Sequence, residues 1–169
     1  MAVTRLWWVR HGPTHEKTMV GWRDVPADLS DRAALARLDA HLPKGAVLIS
    51  SDLIRAVATA DALALPSRHR LPHDPALREL HFGDWDGRQW QDVAETHPEL
   101  SRAYWEAPGD HCPPGGESWN TAAACVQAST AQADQRGEVH CGTSYATPMV
   151  AGVVAAMLSI TPRLQPEQL

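Results

Sequence analysis

Arg10-His11-Gly12-Pro13-Thr14 sets a guanidinium beside an imidazole directly after a short apolar run, and Gly12 lets backbone approach a ligand closely. Imidazole can attack phosphorus and hold the phosphoryl group as phosphohistidine, which splits one hard displacement into two easier ones. A phosphate monoester is doubly charged, so that chemistry needs fixed cations around the transferring group and an attacking atom in line with the leaving oxygen. Arg10 is one such cation. Arg55 is a second, carried by the run Ser50-Ser51-Asp52-Leu53-Ile54-Arg55-Ala56 on the first turn of an expected helix, where a bidentate guanidinium meets an anion from the opposite side. In the segment Leu77 to Gly87, Glu79 stands among apolar and aromatic neighbours of the kind that raise a carboxyl pKa. A protonated carboxyl beside the leaving oxygen is a general acid.

The elements that must position these groups read as an α/β alternation. Val3 to Val9 is rich in β-branched and aromatic residues and stops at a charged pair followed by Gly12 and Pro13, as a buried strand entering a loop does. Ser30 or Asp31 caps a helix running to His41, with Leu35 and Leu38 on one face, and Pro43 and Gly45 end it. Ala46 to Ile49 is a second strand, and the run Ser50-Ser51-Asp52 is expected to cap a helix carrying Leu53, Val57, Ala60 and Leu63. Such sheets bind ligands beyond the carboxyl ends of their strands, and both His11 and Ser51 stand at such ends. Further helices are expected over Gln89–Glu95, Glu99–Glu106 and from Glu117 to about Ala133, with Pro108 to Gly116 as a loop.

The bulk properties narrow the partners. A chain of 169 residues with 44% hydrophobic and 21% charged residues fits a folded domain rather than a disordered one. Its net charge of −5 argues against nucleic acid, so any phosphate recognition is local. Cys112, Cys125 and Cys141 show neither a disulfide framework nor zinc spacing, which suits a reducing cytoplasm. The most apolar stretch, Val150 to Ile160, falls short of the roughly 20 residues a membrane span needs, and the N-terminus reads as a strand rather than a leader. No metal is expected, and the oligomeric state is not legible.

Taken together, Arg10-His11-Gly12-Pro13-Thr14, Ser51 to Ala56, Arg78-Glu79-Leu80 with Phe82-Gly83 and Trp85-Asp86-Gly87, and Pro114-Gly115-Gly116-Glu117-Ser118 resemble the histidine phosphatase superfamily, the phosphoglycerate-mutase-like enzymes, over about residues 1–120. The resemblance implies a three-layer α/β/α sandwich, here expected to be incomplete at the C-terminus. It implies His11 as the phosphorylated nucleophile, Arg10 and Arg55 as phosphate clamps and Glu79 as proton donor, with Gly12 and Thr14 beside the phosphate. It also implies a small phosphorylated substrate and no metal or organic cofactor. Where many members carry Asn, this chain has Lys17, which is expected to supply charge instead. Alone, each residue has an ordinary reading as loop, solvated helix or surface acid; their order along the chain gives them weight. Trp85, Trp90, Trp105 and Trp119 are read as packing residues, and His15, His41, His69, His73, His97 and His111 as surface or loop histidines.

The last third departs from that pattern. The family supplies a second histidine after a hydrophobic strand, and His140 in His140-Cys141-Gly142 is the candidate here, although Ala133 to Glu138 is polar. Residues 141–169 are instead similar to the serine-bearing segment of subtilisin-like proteases, through Gly142-Thr143-Ser144-Tyr145-Ala146-Thr147-Pro148-Met149. The chain therefore divides into a histidine-phosphatase-like domain over 1–138 and an atypical tail over 139–169, of the kind a fusion or frameshift produces. Serine attack needs a base and an orienting acid, and neither subtilase motif occurs upstream. Gly142 to Leu158 is read as a buried helix. Three functions follow: a phosphomonoester hydrolase impaired by loss of the second histidine region, a subtilisin-type peptidase acting through Ser144, and a phosphate-binding module without turnover.

Overall fold

A segment from the far end of the sequence fills the gap between the first two strands. A computed structural model describes residues 5–135 and 153–159. Strand β4 (Val153–Ser159) lies between β1 (Arg5–Arg10) and β2 (Val47–Ser50), antiparallel to both, and the short β3 (His69–Arg70) runs parallel to β2, giving the order β1-β4-β2-β3. β1 and β2 thus point the same way and end at one edge, where His11 and Ser51 follow them. The helix expected over Gly142 to Leu158 is therefore corrected at 153–158, which is strand. An apolar run such as Val153-Val154-Ala155-Ala156-Met157-Leu158 fits either period. The unpaired N–H and C=O groups along β1 and β2 decide between them, because ladder bonds satisfy both strands at once.

The register carries one irregularity. Val9 pairs with Ala155 but Arg10 pairs with Val153, so Val154 is an extra residue opposite the end of β1. Such bulges bend a strand and redirect neighbouring side chains, and this one falls at the residue preceding His11.

Helix α1 (Arg32–His41) is capped by Asp31, whose Oδ1 accepts the Ala34 N–H at 2.8 Å. Helix α2 (Ile54–Leu63) is not capped by the serine-aspartate run before it. Its first N–H, from Ile54, goes to Oδ1 of Asp24 at 2.7 Å, while the Asp52 carboxylate is occupied by Arg78. The cap comes from a residue 30 positions away because Asp52 has a charged partner to satisfy.

Val9, Leu42, Leu48, Ala60 and Leu63 form one core cluster, joining α1 and α2 to one face of the sheet. Each fully buried aliphatic side chain there contributes about 1.5–3 kcal/mol by leaving water. A second cluster of Leu80, Phe82, Trp85, Val93 and Tyr104 joins the 80–85 turn to α3 (Trp90–Thr96), α4 (Pro98–Glu106) and α5 (Trp119–Gln135). Among the described residues no helix is long and apolar enough to cross a membrane.

Candidate active site

The loop after β1 fixes the tautomer of His11. Its Nδ1 lies 2.7 Å from the carbonyl oxygen of Gly12, and a carbonyl only accepts, so Nδ1 carries the proton and donates. The lone pair then resides on Nε2. Burial lowers the His11 pKa; the Gly12 carbonyl opposes that by holding the proton, and the charges of Arg55 and Arg10 lower it further. A neutral imidazole with a free Nε2 is what nucleophilic attack requires. Gly12 itself is held by its N–H donating to Thr59 Oγ1 at 3.0 Å, and that hydroxyl donates to the Arg55 carbonyl at 2.7 Å. A Cβ at Gly12 would stand 2.6 Å from Leu29 Cδ2 and 2.9 Å from the Asp28 carbonyl, so the position has no room for a side chain.

Arg10, His11, Thr14 and Glu79 line one cavity of about 270 Å³. Glu79 is 8% exposed, and burial pushes its pKa up to about 7 against the opposing pull of the Leu80 N–H, Arg55 and Arg10; Glu117 adds to the rise. Its Oε1 accepts the Leu80 N–H at 3.0 Å. A carboxyl with that pKa exchanges a proton readily at neutral pH.

Arg55 is wholly buried and donates through Nη1 to the Arg23 carbonyl at 3.1 Å and through Nη2 to the Gly21 carbonyl at 2.7 Å. Its Nε has no hydrogen-bond partner among the described residues. Burial lowers its pKa, and the carboxylates of Glu79, Asp24 and Asp86 pull it back up. Arg55 thus lies within electrostatic reach of both His11 and Glu79, behind the cavity wall rather than among the residues that line it. Gly12 borders a smaller neighbouring cavity between α1 and α2. Lys17 is exposed and is not among the described residues lining either cavity. His140 and Ser144 lie outside the described residues.

Several positioning groups were not legible as such. Asp86 accepts the Gly21 N–H at 3.1 Å and the Arg23 N–H at 2.9 Å, so it grips the very loop whose carbonyls hold Arg55. Its place in Trp85-Asp86-Gly87 marked it, without saying what it would touch. Glu117 and His81 bond twice, the Glu117 N–H to the His81 carbonyl and the His81 N–H to the Glu117 carboxylate, tying the glycine-rich loop to the irregular segment after Glu79. Gly83, at φ 51°, comes so close to that loop that a Cβ would meet the Pro114 carbonyl at 2.1 Å. Trp85 packs inside the core as expected, whereas Trp105 and Trp119 border the cavity and Trp105 is 44% exposed.

Comparison with known proteins places this arrangement. Residues 6–146 match the model of the histidine phosphatase superfamily, branch 1. The chain is 37% identical over 123 residues to glucosyl-3-phosphoglycerate phosphatase of Mycolicibacterium vanbaalenii, across 70% of this chain and 54% of that one, so it spans about half the length of that relative. Among solved structures, Bacillus stearothermophilus YhfR superposes with a TM-score of 0.65 at 27% identity, covering 79% of this chain and 69% of that one. A phosphoglycerate mutase from Thermus thermophilus superposes with a TM-score of 0.57 at 32% identity, covering 76% and 70%. The fold is therefore the α/β type of the phosphoglycerate-mutase-like proteins, and the chain belongs to the histidine phosphatase superfamily.

Proposed function

We propose that the chain is a phosphomonoester hydrolase that passes the phosphoryl group through His11. The observation that carries this reading is the single cavity bordered by a neutral imidazole with a free Nε2, a guanidinium and a carboxyl of pKa about 7. Nε2 attacks phosphorus, the bond to the leaving oxygen breaks, and Glu79 gives its proton to that oxygen. Water then attacks the phosphohistidine, Glu79 takes the proton back, and cleavage of the P–N bond returns the electron pair to Nε2 with release of inorganic phosphate. Arg10, Thr14 and the field of Arg55 offset charge on the transferring group. No metal or organic cofactor enters these steps.

The second histidine of the family falls to His140, the only histidine after His111 and inside the span matched to the family model. The subtilisin-type reading of 141–169 adds no step: Ser144 lies outside the described residues, and 153–159 form β4 of the sheet. Steady-state hydrolysis of an aryl phosphate tests the proposal. Turnover that persists in a metal chelator and is lost in His11→Ala is expected. Turnover abolished by the chelator contradicts it, and vanadate-induced stabilisation without turnover would mark a binding module instead.

A further inference from the structure

The cavity is lined by unlike groups: Arg10 and His11 supply its cationic and imidazole part, Met19, Leu80, Phe82, Trp105 and Trp119 form a packed apolar part, and Glu16 also borders it. Trp105 is the exposed member of an aromatic cluster that fixes its plane. Its ring lies 5.0 Å from Tyr104, 6.0 Å from Trp119 and 6.1 Å from Phe82, centroid to centroid. Trp119 is itself anchored by its indole N–H donating to the Tyr104 carbonyl at 2.9 Å. An aromatic face that is held in place yet open to solvent loses little entropy on stacking. Glu16 Oε2 accepts from Arg23 at 2.8 Å, which keeps it ionised, while Arg23 is not among the described residues lining the cavity.

We propose, resting on the phosphohydrolase reading, that the substrate is the phosphomonoester of a neutral alcohol bearing an apolar ring, which stacks on Trp105, and that Glu16 excludes leaving groups carrying a second anion. The phosphoryl group occupies the cationic part, and the ring covers Trp105 and the Phe82 edge. A carboxylate or second phosphate on the leaving group would instead face the like charge of Glu16 and cover apolar ring surface at a desolvation cost.

Equilibrium binding of non-hydrolysable phosphonates to the full chain tests this independently of turnover. Naphthylmethylphosphonate is expected to bind at least about tenfold tighter than carboxyethylphosphonate or methylphosphonate, the combined effect of ring stacking and charge exclusion. Trp105→Ala should weaken the naphthyl compound about three- to tenfold and leave methylphosphonate unchanged, with Trp105→Phe restoring most of the loss. Glu16→Gln should tighten carboxyethylphosphonate about threefold and leave the naphthyl compound unaffected. Equal affinity for the naphthyl and carboxyethyl compounds, or a Trp105→Ala loss that is the same for all three, overturns the inference. If the naphthyl preference holds while no phosphohistidine forms, the catalytic proposal fails and the ligand class stands.

Discussion

Arg55 donates through Nη2 to the carbonyl oxygen of Gly21 at 2.7 Å, across 34 residues of sequence, and so ties the first turn of α2 to the loop that follows His11. The guanidinium is committed to backbone carbonyls and reaches the cavity only through its field, which acts on both His11 and Glu79. A buried cation is tolerable here because Glu79, Asp24 and Asp86 surround it.

Asp86 should therefore act on phosphate binding without touching phosphate. Asp86→Ala leaves the Gly21 and Arg23 N–H groups unpaired and frees the loop that seats Arg55. We expect about 1–3 kcal/mol of lost stability in urea and a smaller rise in Tm on adding inorganic phosphate. An unchanged phosphate response would show that the loop does not set the position of Arg55.

Glu79 gives the pH dependence its sign. Its folded pKa of about 7 stands above the ordinary glutamate value of 4.5, so the native state holds a proton that the unfolded chain gives up. Stability from this group is full below about 4.5 and is lost as pH rises through about 7, on the order of a few kcal/mol in all. Glu79→Gln should flatten urea-derived stability over that window and raise it at alkaline pH. The same variant should slow hydrolysis of alkyl phosphates far more than of nitrophenyl phosphate, whose leaving group needs no proton.

How far the sequence spoke is visible in particular residues. The strand before His11, the Asp31 cap and the helix carrying Arg55 followed from local pattern, since neighbours within a few positions decide them. β4 did not, because its six apolar residues before Ser159 suit two periods and only pairing with β1 and β2 selects one. The α2 cap was misplaced for a related reason: Arg78 claims Asp52, and Asp24 arrives from 30 positions away. Trp105 looked like packing because nothing local reports which aromatic stays open to solvent.

The proposed role of His140 has its own test. His140→Ala should lower kcat about 100- to 1000-fold, the usual cost of removing one donor from a transition-state clamp. Steady-state rates on an aryl phosphate check this, and an unchanged kcat would remove His140 from the clamp.

Trapping the intermediate tests the central claim most directly. The chain is mixed with an aryl phosphate, quenched in alkali within the first turnover, and mapped by mass spectrometry. The account predicts a phosphoryl adduct on the peptide containing His11, stable to alkali and labile to acid, formed at least as fast as turnover and absent in His11→Ala. Full turnover in His11→Ala, or turnover with no such adduct, would contradict it.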